Sequence, residues 1–425
     1  MPTVSPDLYF PLEITTREYA GHVLLGTEMA ARGRTVVIGH KGPVTRIARA
    51  AQRRGVVFYK NSTMPPDLAR TRHELVGMDP EAGIVYRDFS DFLQRRAVVR
   101  RDSPNRAQFC FGPDDHDVLI SKFPDLRHRI HLTGSPRVEL WGPSGTDFYA
   151  VAMRQIRERY GDFALFTSSG GFGHEKVLGW RGADPKTTWE RAEHAHHFFR
   201  MAEAAVKAGL NVVVRPHPAD SWVAWQSVVS NAPRMHIDST FDLTAWARVA
   251  QVVVHPGKST AAVEAVCAGT PTISTQSSLV TNVATDLSHL ASDADHLAQL
   301  ITEAEDGRLQ TFPTPDAQML LSRKLLQPLE GATLRVADVL DSTLPCEGPT
   351  GVRFRKERLR GRLMRLLSRQ QPRRMLGDQR PRPFKRDPLL LESVEQDVMA
   401  SLTILNRKDD LRVRQLTENC FALSP

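Results

Sequence analysis

Several residues in the second half of the chain have the types and spacing of a phosphate-binding site. A buried apolar run, QVVV, leads into His255-Pro256-Gly257, and a helical pattern starts at Lys258, Ser259 and Thr260. A helix that follows a strand directly aims its N–H groups, its positive dipole end and these two hydroxyls at one point. Gly257 lets a ligand approach the backbone closely. The segment therefore predicts an anion site suited to a phosphate or diphosphate.

Glu264 lies just over one turn further along the same predicted helix, where its carboxylate can accept hydrogen bonds from a ribose diol. Simpler interpretations stay open, because Ser259 and Thr260 can act only as helix caps and Lys258 can point to solvent. A P-loop is excluded. That motif needs a glycine five positions before Gly257, and Val252 stands there.

A second strand end, in NVVVRPHPADSW, carries Arg215 and His217. Pro216 and Pro218 fix φ on either side of the histidine, so the guanidinium and the imidazole are held at the carboxyl edge of the predicted sheet. Such a pair can neutralise a phosphate or donate a proton to a leaving group. A single histidine is more often structural, but His217 and His255 both precede a proline at a strand end, which favours a functional interpretation.

Two further features of this half are less specific. Gly170 and Gly171 lie in a loop after the predicted strand FALFTS and allow close backbone approach to a ligand, although a flexible turn explains them as well. His194, His196 and His197 form a metal-like cluster, but they lack the Glu-x-x-His spacing of a zinc site and fit a solvated helix face. No metal site is predicted.

Near the N-terminus, Glu13, Arg17 and Glu18 surround the junction of the first predicted strand and helix. This junction is the expected rim of an acceptor pocket, and either carboxylate can serve as a general base. Surface salt bridges are the alternative interpretation for each residue taken singly.

Short apolar strands and helical patterns alternate along the chain and must position these residues. Predicted strands in the first third include Thr35–Gly39, Gly83–Tyr86 and Gln108–Phe111. Such alternation with short connections implies parallel sheets covered by helices on both faces. We therefore predict an α/β protein of two doubly wound, Rossmann-like domains.

The predicted domains are residues 1–146 on the acceptor side and residues 147–345 on the nucleotide-donor side. A basic helical extension, residues 346–425, is expected to follow. Ligands of doubly wound sheets bind at the carboxyl ends of the strands, so the cleft between the two domains is the expected active site.

Composition excludes several protein classes. The chain has 425 residues, of which 41% are hydrophobic and 24% charged, as in soluble globular proteins. It has neither an apolar run of ~20 residues nor a secretory signal at its N-terminus, so a cytoplasmic location is expected. The four cysteines lie far apart, which argues against zinc and disulfide frameworks.

The net charge of +8 is concentrated in one segment, Arg353–Arg386, where 14 Lys and Arg stand against two acidic residues. The remainder of the chain is net negative, so nucleic acid is not an expected partner. Leu359, Leu363 and Leu366 recur at helical spacing among arginines, which is typical of a helix on an anionic membrane surface. The alternative is a helix that packs its leucines across the two domains.

Five stretches together resemble one family, the bacterial surface carbohydrate biosynthesis proteins, which are glycosyltransferases of the GT-B fold. The stretches are Pro11–Gly42, Glu81–Tyr86, Phe109–Leu119, Leu132–Leu140 and Arg157–Ser169. Within LTGSPRVEL, Ser135 replaces the asparagine of the family's Gly-Asn-Pro-Arg-Phe-Asp element. The usual Asn-rich stretch is also replaced, by Ser168-Ser169-Gly170-Gly171.

The RPHP and HPGKST elements are also similar to those of CDP-glycerol-dependent polyol-phosphate polymerases and of bacterial sialyl- and Kdo-transferases. The resemblance implies a CMP-, CDP- or UDP-linked donor in the second domain, with Ser259 and Thr260 on its phosphates. It implies a glycan or lipid-linked acceptor in the first domain.

The sequence therefore predicts a metal-independent glycosyltransferase without a bound cofactor, working in the cytoplasm or peripherally on the inner face of the membrane. Three alternatives remain. They are a polyol-phosphate transferase, a nucleotide-sugar 2-epimerase and a non-catalytic scaffold of a polysaccharide export complex.

Overall fold

Two sheets surrounded by helices form the framework of the protein. The computed structural model describes residues 6–51, 53–60, 68, 71–96, 98–99, 101, 105–168, 197–217, 220, 225–226, 233–275, 281–344 and 388–425. The predicted sites at Gly170, Gly171, His194 and His196 and the basic segment 353–386 lie outside these residues.

The strands are β1 (Leu8–Leu12), β2 (Val36–His40), β3 (Val56–Tyr59), β4 (Glu74–Gly77), β5 (Asn105–Cys110), β6 (Ile130–Leu132), β7 (Ala164–Thr167), β8 (Val212–Arg215), β9 (Met235–Ile237), β10 (Val252–His255), β11 (Thr272–Ser274), β12 (His289–Leu290), β13 (Arg412–Thr417) and β14 (Cys420–Ser424). The first helices are α1 (Thr15–Ala31), α2 (Lys41–Ala50), α3 (Phe89–Arg95), α4 (Pro113–Lys122), α5 (Pro136–Glu139), α6 (Gly145–Phe148), α7 (Ala150–Tyr160) and α8, described over residues 197–207. The later helices are α9 (Leu243–Val249), α10 (Thr260–Cys267), α11 (Val283–Asp286), α12 (Ala294–Glu305), α13 (Pro315–Lys324), α14 (Ala332–Thr343) and α15 (Leu391–Ile404).

The first sheet has the strand order β13-β14-β2-β1-β3-β4-β5-β6, and the second has the order β12-β11-β10-β7-β8-β9. Strands β1 to β12 pair in parallel throughout. The central strands β1, β2 and β10 are buried along their whole length, as expected for strands covered by helices on both faces. The predicted α/β class with two doubly wound domains is confirmed.

The predicted strand Gly83–Tyr86 is wrong, because this segment forms turns and the strand lies earlier, at β4. Ala82 and Gly83 have φ values of +42° and +63°, which an extended strand does not allow. A Cβ on Gly83 would lie 2.6 Å from Cγ of Phe92. The turn therefore brings its backbone against α3, where only glycine fits.

The end of the chain belongs to the first domain and not to a separate helical extension. Strand β14 pairs antiparallel with β2, and β13 forms the outer edge of the same sheet. Helix α15 packs on α1, where the Tyr19 hydroxyl donates to Asp397 and the Arg407 guanidinium donates to the buried Glu28. The prediction for 346–425 is corrected accordingly over residues 388–425.

Helices α13 and α14 also return to the first domain, although the sequence suggested that residues up to 345 belong to the second. Glu139 accepts hydrogen bonds from the backbone N–H groups of Gly331 and Thr333 at 2.8 and 2.7 Å, which fixes the start of α14. Leu321, from α13, shares an apolar cluster with residues of β1 and β2. The chain thus crosses twice between the domains.

Within the described residues, no helix is long and apolar enough to cross a membrane. In the same residues, no three His, Cys, Asp or Glu side chains are grouped to hold a metal ion. The cysteines described, Cys110, Cys267 and Cys420, are free thiols.

The returning strand provides a stability test. Phe421 in β14 is fully buried, whereas its register partner in β13, Gln415, is exposed. Phe421→Ala is expected to lower the free energy of unfolding by about 3–5 kcal/mol, because a large buried ring is lost and a cavity remains. Gln415→Ala, the matched control, is expected to change it by less than about 0.5 kcal/mol. Urea unfolding of both variants checks this, and equal stability of the two would contradict the role given to β14.

Candidate active site

The residues of the predicted anion site lie at the start of α10, at the carboxyl edge of the second sheet. Ser259 is the N-cap residue, and its hydroxyl accepts a hydrogen bond from the backbone N–H of Ala261 at 3.2 Å. Thr260 is the first helical residue, and both side chains are partly exposed. Gly257 has a φ of +106°, so the turn before the helix needs a residue without Cβ. The N-terminal end of α10 is therefore accessible to solvent, and anion binding there stays a prediction.

His255 supports this turn from below. The ring is fully buried, with Nδ1 2.7 Å from the carbonyl oxygen of Gly257 and Nε2 2.8 Å from the hydroxyl of Ser288. Burial lowers the pKa of His255 from 6.5 to about 4, so the ring is neutral at physiological pH. Its surroundings suit a residue that shapes the loop between β10 and α10, residues 256–259, which we call the anion loop. Direct contact of His255 with a donor stays a prediction.

Lys258 is the exposed residue of the anion loop, and it reaches the first domain. Its Nζ lies 3.2 Å from the centroid of the Tyr86 ring, a cation–π contact. Tyr86 belongs to the turn segment at residues 79–87 that replaces the predicted strand. This segment of the first domain therefore borders the anion site of the second.

Glu264 is fully buried at the domain junction. One carboxylate oxygen lies 3.0 Å from Nη2 of Arg137, and the other accepts a hydrogen bond from the hydroxyl of Thr244 at 2.5 Å. Burial raises the pKa of Glu264, and the nearby positive charge of Arg137 opposes this shift. Both oxygens contact protein groups, so the predicted ribose contact would require Glu264 to exchange a partner.

Arg215 is the last residue of β8 and His217 follows it, at the same sheet edge as the start of α10. The imidazole of His217 is exposed, and the positive charge of Arg215 acts on Glu264, whose pKa it lowers. The backbone N–H of His217 donates to the Ser168 hydroxyl at 2.7 Å and to Asp220 at 3.1 Å.

Asp220 organises the loop that carries His217. It is almost fully buried and also accepts from Nε1 of Trp225 at 3.1 Å and from the Ser168 hydroxyl. Sequence reasoning missed Ser168 and Asp220. Their signal is a polar residue directly after β7 and an aspartate three residues after His217, a spacing that suits a side chain bonding back to the backbone.

On the acceptor side, Glu13 is held by three donors. Lys41 Nζ and the Tyr59 hydroxyl each lie 2.6 Å from its Oε1, and Lys60 pairs with its Oε2. Burial alone would raise the pKa of Glu13, but these hydrogen bonds lower it to about 2. Sequence reasoning missed both lysines, although each directly follows a buried strand of the sheet.

Glu18 differs from Glu13 in its hydrogen-bond partners and in the direction of its pKa shift, although it lies only about one turn away. Its Oε2 accepts from the backbone N–H groups of Glu13 and Ile14 at 2.7 and 3.4 Å. Its Oε1 accepts no hydrogen bond from the described residues but lies 3.8 Å from Nη2 of Arg17, an ion pair. Burial raises the pKa of Glu18. A cavity of about 20 Å³, room for one water molecule, is lined by Pro11, Glu13, Glu18, His22, Phe58, Tyr59, Lys60, Met78 and Pro80.

The segment 79–87 lies between the cavity lined by Glu13 and Glu18 and the start of α10. Glu81 pairs with Arg17 beside Glu18, and the Pro80 carbonyl accepts from Arg137, which also holds Glu264. Tyr86 lies under Lys258. The segment thus contacts residues of both predicted sites, and Arg17 takes a supporting position through its pairs with Glu81 and Glu18.

No protein-family model and no curated protein sequence matches the chain. Among solved structures, a variant of the wall teichoic acid polymerase TagF soaked with CDPG superposes with a TM-score of 0.51, covering 79% of this chain and 88% of that chain at 9% identity. The chain has the GT-B fold. This likeness shows the fold alone.

Two other similar structures have lower scores and carry no argument. Another TagF variant has a TM-score of 0.46 at 10% identity, covering 72% of this chain and 76% of that chain. The Anabaena protein HepE in complex with UDP and glucose has a TM-score of 0.39 at 12% identity, covering 79% of this chain and 100% of that chain.

The buried histidine under the anion loop predicts a pH effect. Because the pKa of His255 is about 4 in the folded chain and 6.5 ordinarily, the unfolded chain takes up a proton between these values that the folded chain does not. Stability is therefore lost as the pH falls from 6.5 toward 4. At pH 5, His255 lowers the free energy of unfolding by about 2 kcal/mol.

His255→Asn is expected to remove that share of the loss between pH 7.5 and pH 5, measured by urea unfolding at both values. Gln415→Ala, an exposed position without a titrating group, serves as control and should leave the pH dependence unchanged. An unaltered pH dependence in His255→Asn would show that the ring is not held neutral.

Proposed function

We propose that this protein is a nucleotide-dependent transferase of bacterial surface glycan synthesis, which moves a sugar from a nucleotide donor to a glycan or lipid-linked acceptor. The observation that carries the proposal is that one segment, residues 79–87, contacts both groups of candidate residues. Tyr86 lies against Lys258 at the start of α10, and Glu81 pairs with Arg17, which lies 3.8 Å from Oε1 of the buried Glu18. Membership of the family that the sequence resembles is part of this proposal.

The donor's phosphates are assigned to the N-terminus of α10, with Ser259 and Thr260 donating from their hydroxyls. As the bond between the anomeric carbon and the phosphate oxygen breaks, its electron pair stays on the phosphate. Lys258, Arg215 and His217 are assigned to stabilise this developing negative charge, which fixed positive groups do most effectively when water is largely excluded. Gly170 and Gly171 are retained as further donor-binding candidates.

The acceptor hydroxyl must lose a proton as its oxygen attacks the anomeric carbon. A carboxylate with a raised pKa accepts that proton better than one whose pKa is about 2, so Glu18 is the favoured general base and Glu13 a binding group. The proton then resides on Glu18, and the new bond joins the acceptor oxygen to the sugar.

Two other reactions fit the same groups less directly. A polyol-phosphate transferase would use the anion site in the same way, as the neighbour TagF is itself a polymerase. A 2-epimerase would need no acceptor, and accumulation of an epimer from the donor alone would favour it. Independence from metal ions and association of residues 353–386 with an anionic membrane remain predictions.

Thermal unfolding with CMP, CDP, UDP, GDP and ADP tests the donor site. At about 100 times its dissociation constant, the correct nucleotide adds about 2.7 kcal/mol of stability. Ser259→Ala is expected to lose that gain, besides about 1 kcal/mol for the missing helix cap. Ser342→Ala, an exposed serine near the end of α14, is the control and should keep the full gain. Absence of a shift with every nucleotide would favour the scaffold alternative.

Replacing Glu18 or Glu13 by glutamine tests which carboxylate is the general base. Glu18→Gln keeps an oxygen that can accept the backbone N–H groups, so the fold and the nucleotide-induced shift should persist while kcat falls by about 10²–10⁴-fold. The readout is nucleotide release from the donor in the presence of acceptor. If Glu13→Gln loses kcat to that extent and Glu18→Gln does not, the base is Glu13.

A further inference from the structure

An aromatic ring of the first domain holds Lys258 of the second. Nζ of Lys258 lies 3.2 Å from the centroid of the Tyr86 ring, well within the roughly 6 Å over which a ring face attracts a cation. Within the described part of the chain, this ammonium group forms no hydrogen bond and no ion pair with a carboxylate. Its positive charge is therefore held in place without being neutralised.

The backbone on both sides of Tyr86 is anchored to α11. The carbonyl oxygen of Val85 accepts a hydrogen bond from the backbone N–H of Val283 at 3.2 Å. The Arg87 guanidinium donates to both carboxylate oxygens of Asp286, at 2.7 and 2.5 Å. Helix α11 packs beside α10, so these contacts fix the position of the ring relative to the start of α10.

The Tyr86 ring also packs on an apolar cluster of the first domain. Its centroid lies 5.5 Å from that of Phe92, a side chain that is only 4% exposed. A ring in such a packed cluster has few alternative orientations. Lys258 thus contacts a surface that is already in place before a ligand binds.

A lysine gains from such a surface because its side chain is long and flexible. Ordering it costs free energy when a ligand binds, and contact with a rigid ring in the free protein lowers that cost. The ammonium group has three N–H donors, so a ring against one side of it leaves donors for a phosphate oxygen. Lys258 directly precedes Ser259, the N-cap residue of α10, so its side chain is long enough to reach a phosphate bound there.

We propose that Tyr86 is a positioning residue of the donor site, which holds the Lys258 ammonium group for the donor's phosphates. The inference rests on the proposed function, which assigns Lys258 to the negative charge that develops on the phosphate. It makes the first domain part of the donor site, although the residues assigned to the phosphates all belong to the second. Donor binding is thereby coupled to the contact between the two domains.

Calorimetric titration with CDP, UDP and inorganic pyrophosphate measures the contribution of the ring. Tyr86→Leu is expected to weaken binding about fivefold because the cation–π contact is lost, whereas Tyr86→Phe keeps a ring and should bind within about twofold of the wild type. Lys258→Met is expected to weaken binding about tenfold. Lys122→Met, the control, removes an exposed lysine at the end of α4 and should leave binding unchanged.

The double variant Tyr86→Leu/Lys258→Met separates positioning from structural support. If the ring acts through Lys258, the double variant binds as weakly as Lys258→Met alone, because the two effects are not additive. If Tyr86 only supports the fold around the site, its loss weakens binding again on the Lys258→Met background, and the inference is overturned.

The contact with the ring can also be measured without any ligand. Reductive methylation with isotope-labelled methyl groups keeps the positive charge of the lysines. The methyl resonance of Lys258 is expected upfield in the wild type and in Tyr86→Phe, because the ring current shields it, and unshielded in Tyr86→Leu. Lys258→Met assigns this resonance by removing it.

An unshielded Lys258 resonance in the wild type, or undiminished binding by Tyr86→Leu, would overturn the inference. If a nucleotide still stabilises the protein and Tyr86→Leu binds it as tightly as the wild type does, the role of Tyr86 is rejected and the transferase proposal stands. If the wild type binds none of the three probes, the donor site itself is rejected, and the inference is rejected with it.

Discussion

The ion pair between Arg137 and Glu264 is the contact on which the arrangement of the cleft depends. Glu264 is fully buried, and a buried carboxylate without a partner costs several kcal/mol, so the two domains must keep Arg137 within reach of α10. The same guanidinium lies 4.9 Å from the Trp141 ring and donates to the carbonyl of Pro80. A Cβ on Gly21 would lie 2.7 Å from the backbone of Arg137, so α1 packs directly against the start of α5. Arg137 therefore contacts α10, α1 and the segment 79–87, and it holds these three elements together.

In the second domain, buried polar residues hold the loops in place and exposed polar residues are available to a ligand. His255 and Asp220 are buried, and their hydrogen bonds hold the turn at Gly257 and the loop at His217. Lys258 and His217 are exposed and carry the groups that can meet a ligand. The buried residues have satisfied partners because an unpaired polar group is costly there, and this requirement rigidifies the loops. Pre-organised positive groups are what stabilisation of a leaving phosphate requires.

Sequence reasoning succeeded where the signal is local and failed where it is not. Buried parallel strands read as apolar runs, and topology places the carboxyl ends of β8 and β10 at one edge, so the positions of Arg215 and Ser259 in the fold were predicted correctly. The pairing of β14 with β2 joins residues almost 400 positions apart, and the run CFALS of β14 carries no sign of its partner. Glu264 was placed correctly on α10, but its partner Arg137 is 127 residues away. The turn at Ala82 and Gly83 resembles a strand by composition and is decided by packing against Phe92.

The two carboxylates near the N-terminus show how one sheet edge can hold different chemistry at neighbouring positions. Glu13 lies where three strands deliver two ammonium groups and a phenol, so its charged form is stabilised and it is a poor proton acceptor. Glu18 lies one turn into α1, where the apolar wall of Phe58 and Met78 keeps solvent away and the charged form is disfavoured. The pKa values of these two carboxylates therefore shift in opposite directions at short range. The strand order β2-β1-β3 brings Lys41 and Lys60 to flank Glu13, whereas the ion-pair partner of Glu18 is Arg17, on its own helix.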